Sequence, residues 1–351
     1  MWRSCWPPRP LSCSSDVAAH RCVVFHQPPE GNPVTNAKPS APTHQRSVGV
    51  LGLGTMGSGM AATLHSAGWD VCGYDPAPEA RSAAAADGVP VVDSIAALRG
   101  SVMVMSLPGA DVVERCVPLL LDGRRGLVII DTTTSHPRTS REMEALCDAA
   151  DSVFVDAPVS GGRVGAWSGT LTAFVGGRPA AVDAAEPVLA SLTSTWRHLG
   201  PSGSGNVVKL LNNLLCAANL ASVAEAIDVL DANGLDVAAG LDALNDGSGR
   251  SAVSQVNYAG ILRGELVGGF AVGLMARDVR LGLSVAKDSG ATPTVLAATE
   301  QLWAHALEVL GPQADCNIAP SAFTTATDRL HPRRLGAVED PSAPAAEEAR
   351  A

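Results

Sequence analysis

Val48-Gly49-Val50-Leu51-Gly52-Leu53-Gly54-Thr55-Met56-Gly57 decides the fold of this chain. The short apolar run 48–51 reads as a buried strand, and 58–67 reads as a helix. Between them, Gly52, Gly54 and Gly57 have the spacing of a dinucleotide-binding turn. The first glycine permits the tight turn, the second lets the backbone approach a pyrophosphate, and the third lets helix and strand pack closely. Phosphate oxygens then meet N–H groups at a helix N-terminus, with Leu53, Thr55 and Met56 filling the turn. The next strand, 71–74, ends at Asp75, 21 residues after Gly54. A carboxylate there accepts both ribose hydroxyls and repels a 2′-phosphate, which favours NAD. Arg81 lies close enough in sequence to leave NADP possible.

Outward from this unit, short apolar runs alternate with helical stretches. Strands are expected at 89–92, 102–107, 127–130 and 153–155, and helices at 111–121 and 139–150. Such alternation predicts βαβ units and a doubly wound, Rossmann-type parallel sheet. Runs at 171–175 and 195–199 add edge strands around a helix at 179–192. Beyond Gly205 the pattern changes. The stretch 207–233 is long and helical, and 236–246, 251–262, 274–289 and 293–310 continue as helices. The expected organisation is therefore a disordered extension at 1–45, a cofactor domain at 46–202, an all-helical substrate and dimerisation domain at 203–312, and a disordered tail at 313–351.

Composition sets outer limits. With 351 residues and 46% hydrophobic content the chain can bury two domain cores. A net charge of −10 argues against a nucleic-acid partner. No uninterrupted apolar run reaches the ~18 residues of a membrane span, so no membrane partner is expected. The eight cysteines form no C-x-x-C pair, and no histidines stand at zinc spacing, so free thiols in a reducing cytoplasm and no metal are the expectation.

Three further segments carry chemistry. Leu107-Pro108 and Asp131-Thr132-Thr133-Thr134 close strands, and ligands of open α/β sheets lie outside the carboxyl ends of strands. Both segments are candidates to flank the cofactor. Asp156-Ala157-Pro158-Val159-Ser160-Gly161-Gly162 also begins at a strand end. The Ser160 hydroxyl and the unshielded N–H groups of Gly161 and Gly162 can cradle a carboxylate. Lys209 and Asn213 stand four apart on one helix face, after Gly203-Ser204-Gly205. Oxidation of an alcohol by hydride transfer needs a group that takes the hydroxyl proton. A lysine whose pKa is lowered by burial or by a neighbouring positive charge can do so, with Asn213 orienting it or holding the substrate oxygen.

Taken together, these motifs resemble those of the β-hydroxyacid dehydrogenase family, which includes 3-hydroxyisobutyrate dehydrogenase, tartronate semialdehyde reductase and L-threonate dehydrogenase. The resemblance spans about 47–312 and rests on residues 52–60, 156–162, 169–177 and 203–213. It implies Lys209 as acid/base with Asn213 as partner, Ser160, Gly161 and Gly162 on the substrate carboxylate, and Leu107, Pro108 and Thr134 beside the cofactor. It also implies a homodimer or homotetramer and a small hydroxy acid or semialdehyde as substrate. One departure stands out: where the family commonly has Lys-Asp, this chain has Arg277-Asp278. Arg277 is expected on the substrate carboxylate and Asp278 at the cofactor. The remaining pocket walls are expected from 248–255. Imine or glyoxylate reduction on the same fold, or a non-catalytic dinucleotide-binding scaffold, are the alternatives.

Overall fold

The computed structural model describes residues 46–263 and 269–324. The expected extension at 1–45 and the stretch 325–351 of the expected tail lie outside them. The chain opens with β1 (Ser47–Leu51), α1 (Thr55–Ser66), β2 (Asp70–Tyr74), α2 (Pro78–Ala86), β3 (Val102–Met105), α3 (Ala110–Leu121), β4 (Val128–Asp131), α4 (Pro137–Ala149) and β5 (Val153–Asp156). These strands pair in parallel in the order β2-β1-β3-β4-β5. Strand order reverses at β1, so a crevice opens beyond the carboxyl ends of β1 and β3. Val48, Val50, Val104, Ile130 and Val155 pack on one face of the sheet. Leu51, Met103, Met105, Ile129 and Phe154 pack on the other. Burial of both faces explains why these strands read as nearly continuous apolar runs.

The expected strand at 89–92 is a correction. Only Val91 bridges to Gly73. Pro90 has no N–H to continue a ladder. Pairing stops after Gly73 N donates to Pro90 O at 2.8 Å and Val92 N to Gly73 O at 2.9 Å.

A smaller sheet follows, built from β6 (Val159–Ser160), β7 (Leu171–Val175) and β8 (Thr193–His198), with α5 (Gly162–Ser168) and α6 (Pro179–Leu192) between them. Neither β6 nor α5 was signalled by periodicity, both being too short to show one. The chain turns from β6 into α5 through Gly161, at φ 119°. Side chains other than glycine rarely adopt that backbone.

After β8 the structure is helical: α7 (Ser204–Ala232), α8 (Val237–Asp246), a π-helical turn at Val253–Tyr258 running into α9 (Ala259–Leu262), α10 (Val272–Asp288) and α11 (Thr294–Leu310). α7 is long and apolar enough to cross a membrane by length and composition, although polar residues interrupt its apolar run. Here it is the central helix of a packed bundle. Its Leu214, Ala217, Leu220, Ala224 and Ile227 are buried against Met275 and Val279 of α10 and Trp303 of α11. Gly282 permits the close approach of α10, because a Cβ there would collide with Leu214 Cδ1.

The junction between sheet and bundle is polar. Asp156, at the end of β5, is fully buried and takes the first amides of α7: Gly203 N donates to Oδ1 at 2.7 Å and Asn206 N to Oδ2 at 3.0 Å. Burial pushes this carboxyl up, and the helix amides oppose that shift. Asn206 continues the lock, accepting from Ser135 N at 2.8 Å and donating to Ser140 Oγ at 3.0 Å.

The tail expected from residue 313 is also corrected over 313–324. A 3-10 turn at Cys316–Ile318 and α12 (Pro320–Phe323) form a strap across the start of α10. Asp315 Oδ2 accepts from Gly269 N at 2.7 Å, and Cys316 N donates to Phe270 O at 2.8 Å. The ring of Phe323 meets Trp303 edge-on at 5.6 Å. The segment is too short and irregular to show a hydrophobic period, although Cys316 and Ala319 are buried in the bundle core.

Candidate active site

A cleft of about 330 Å³ lies between the carboxyl ends of the parallel strands and the bundle. The α/β half contributes Met56, Ser106, Leu107, Pro108, Thr132, Thr133, Thr134, Ser160, Gly161 and Gly162. The bundle contributes Lys209, Asn212, Asn213, Cys216, Asn257, Phe270 and Arg277. Most side chains singled out for chemistry in the sequence therefore meet in one chamber.

The glycine turn meets the demands of a dinucleotide. Gly52 has φ 92°, and a Cβ there would collide with Ser106 O. A Cβ on Gly57 would collide with Gly52 O, whereas one on Gly54 would meet nothing within 4 Å. The outer glycines are thus needed for packing, and the middle one opens free space at the N-terminus of α1. Helix geometry leaves the first-turn amides, beginning at Thr55, without intrahelical acceptors. Leu53 is buried, with its N–H donated to Asp75 Oδ2 at 2.9 Å, while Asp75 Oδ1 accepts from Ala77 N at 2.9 Å. Asp75 therefore braces the turn, and its half-buried oxygens keep further lone pairs for ribose hydroxyls. Arg81 donates Nη1 to Asp75 O at 2.7 Å and lies over the Tyr74 ring.

The loop after β3 is fixed from below. Leu107 N donates to Thr133 Oγ1 at 3.1 Å, and Thr133 N donates to Asp131 Oδ1 at 3.0 Å. The Asp131 carboxyl is fully buried and is pushed up to about 7 by that burial, against the pull of its Thr133 hydrogen bonds. Thr133 stands where the family often has serine, and its hydroxyl is in use as an acceptor.

Lys209 projects from the second turn of α7 and is buried on the cleft wall. Burial lowers its pKa, and the negative charge of Asp278 opposes that shift, as does Cys216. Asn213 is one turn further along. It donates Nδ2 to Asp278 Oδ2 at 2.7 Å, and its Oδ1 accepts from Asn212 at 3.2 Å. Asp278 itself is buried behind this wall and is not among the residues that line the cleft. Its Oδ1 is taken by Arg277 Nε at 3.0 Å and Nη2 at 2.8 Å. Arg277 reaches the cleft, but its Nη1 donates to Pro108 O, so its fork is engaged on both sides.

Asn212 and Asn257 are two amide side chains of the wall that the sequence analysis does not single out. Asn212 was available from helical spacing, three residues after Lys209. Asn257 was not: the walls expected at 248–255 do not line the cleft, and Asn257 does. Ser254 turns inward onto Asn245 Oδ1 at 2.6 Å. The wider π turn changes which residue faces the cleft. Asn257 is then held by Asn317 Oδ1 at 2.8 Å.

Comparison with known proteins fits this geometry. Residues 47–200 match the NAD binding domain of 6-phosphogluconate dehydrogenase, and 203–320 match the NAD-binding domain of NADP-dependent 3-hydroxyisobutyrate dehydrogenase. A probable 3-hydroxyisobutyrate dehydrogenase of Mycobacterium tuberculosis is 34% identical over 256 residues, covering 70% of this chain and 87% of its own length. The 2-(hydroxymethyl)glutarate dehydrogenase of Eubacterium barkeri is 32% identical over 263 residues, covering 73% and 87%. A solved structure of Mycobacterium tuberculosis 3-hydroxyisobutyrate dehydrogenase with L-serine superposes with a TM-score of 0.73 at 30% identity, covering 80% of this chain and 98% of that one.

Proposed function

The chain belongs to the β-hydroxyacid dehydrogenase family, and from that premise we propose which of its side chains perform the reaction. It is an NAD(P)-dependent hydroxyacid dehydrogenase. Bound NAD(P) supplies the hydride acceptor for alcohol oxidation and the donor for the reverse reduction. Lys209 takes the hydroxyl proton in oxidation and returns it in reduction. The observation that carries this assignment is the burial of its amine on the cleft wall, which brings the neutral form closer to neutral pH. Asn213, held by Asp278, orients the reacting oxygen. Ser160 and the backbone at Gly161 and Gly162 take the carboxylate. Gly52, Gly54, Gly57 and the start of α1 hold the pyrophosphate, Asp75 reads the ribose, and Met56, Leu107, Pro108 and Thr134 wall the nicotinamide end.

The substrate in this reading is a small 3-hydroxy acid. The compounds named with the relatives, 3-hydroxyisobutyrate, 2-(hydroxymethyl)glutarate and L-serine, each carry a hydroxymethyl group on the carbon next to a carboxylate. The same proposal includes residues 46–202 as the cofactor domain, the bundle as the assembly domain, and a cytoplasmic homodimer or homotetramer. Exposed Leu211 and Leu215 on α7 offer it an apolar face.

A panel of such acids, oxidised with NAD and NADP in turn and followed by nicotinamide absorbance, tests the reading. At least one acid should be oxidised, with NAD the more efficient cofactor. Asp75→Ala removes the acceptor for two ribose hydroxyls, each bond contributing about 1 kcal/mol, so the NAD-to-NADP efficiency ratio should fall by roughly tenfold or more. An unchanged ratio would mean that the ribose is read elsewhere. No turnover across the panel would remove the proposed substrate class.

A further inference from the structure

We propose that Arg277 is a positioning residue, a strut joining the cofactor loop to the acid/base pair across the cleft, and not a clamp for the substrate carboxylate. The proposal rests on the dehydrogenase reading above and concerns this chain's own departure from the family's lysine.

Arg277 sits at the only point where a continuous line of hydrogen bonds among the described residues crosses from the β3 loop to α7 by way of α10. On one side, Nη1 donates to Pro108 O, and the adjacent Leu107 is held by Thr133. On the other, Nε and Nη2 both donate to Asp278 Oδ1, whose partner oxygen accepts from Asn213. A planar fork can serve a carboxylate and a carbonyl in two fixed directions. A lysine ammonium is a point charge on a flexible stem and does not fix both.

The same bonds argue against a clamp. Three nitrogens of the guanidinium already serve protein acceptors. A two-bond clamp along the Nε–Nη2 edge would displace Asp278, which is 1% exposed and would be left buried without its counter-charge, and only one N–H on each Nη remains for another acceptor. The electrostatic consequence reaches Lys209. The groups acting on that amine are Asp278 from α10 and Cys216 on its own helix. Arg277 offsets the Asp278 charge. Without it, Asp278 would hold the Lys209 proton more firmly, and the neutral amine would form only at higher pH.

The test uses Arg277→Gln and Arg277→Lys, with kcat, KM for the hydroxy acid, the pH profile of oxidation and the dissociation constant of NADH measured for each. Misplacing the acid/base pair should lower kcat of Arg277→Gln by about ten- to a hundredfold. KM for the acid should stay within about threefold, because uniform substrate binding is not removed. The acidic limb of kcat/KM should move upward by about half a pH unit or more. Loss of the Pro108 contact should weaken NADH binding by roughly threefold or more. Arg277→Lys should return the pH limb towards wild type but not kcat, since it restores charge without the fork. A rise of about tenfold in KM with kcat and the pH limb unchanged is the signature of a clamp and overturns the strut. So does an Arg277→Gln enzyme identical to wild type. If wild type oxidises no hydroxy acid, the dehydrogenase reading fails separately. The strut is then judged by NADH binding alone, and an unchanged dissociation constant overturns it.

Discussion

Lys209→Ala is expected to abolish turnover while leaving a folded protein with near-normal affinity for the dinucleotide. A positioned acid/base contributes roughly 10²–10⁴ in rate, and no other amine lines the cleft among the described residues to replace it. The substitution removes a buried ammonium whose desolvation is opposed by Asp278 without a direct ion pair. Lys209→Met, which keeps the apolar stem, should therefore melt no lower than wild type. Burial lowers the pKa in the folded chain, so between that value and the ordinary lysine value near 10.4 the unfolded chain binds more protons. Wild-type stability should rise with pH across that window, and Lys209→Met should lose this component of the rise. Oxidation should accelerate with pH until the amine is neutral, then level off. Substantial residual oxidation in both variants, in protein shown to be folded by its melting curve, would remove Lys209 from the mechanism.

Asp156→Ala is expected to have the largest effect on stability. Its carboxylate receives Gly203 N and Asn206 N at the start of α7 in a site with no access to water. Alanine would leave these amides without acceptors, at about 1–3 kcal/mol each, and remove a negative charge from a helix N-terminus. A loss of about 2–5 kcal/mol in denaturant unfolding is expected. Asp156→Asn should recover little, because one amide oxygen cannot replace both carboxylate oxygens and its NH₂ group would face a donor. Activity should fall in the surviving folded fraction as well, since Lys209 lies three residues beyond Asn206 and its reach depends on the placement of that first turn. Stability within about 0.5 kcal/mol of wild type would show that α7 is seated by its apolar face alone.

The parts of this molecule that were legible in the sequence are those where backbone geometry dictates residue type. Gly52 and Gly57 have no room for a Cβ, and Gly161 needs a left-handed backbone, so each leaves a mark that no other residue can make. The parallel strands and α7 announce themselves by burial, one through near-continuous apolar runs and the other through helical spacing. Polar tertiary contacts leave no such mark. Nothing in the order of residues told that Asp278 sits behind Asn213, that Asn257 is turned into the cleft by a π turn, or that Arg277 reaches back to Pro108. The role of Asp156 is hidden in the sequence for the same reason. Its segment signals chemistry through the serine and glycines that follow, while its own oxygens accept from Gly203 N and Asn206 N at the start of α7.

The strap at 313–324 bears on where this chain can be shortened. A cut after Leu310 would spare every strand and every long helix among the described residues, and a boundary drawn from periodicity would invite it. Yet Cys316 belongs to the wall of the cleft, and Asp315 tethers the segment that leads into α10, the helix that carries Arg277 and Asp278. Removing this segment with such a cut would open the chamber from behind and untie the entry to α10, so a short irregular stretch serves here as part of the enzyme's interior.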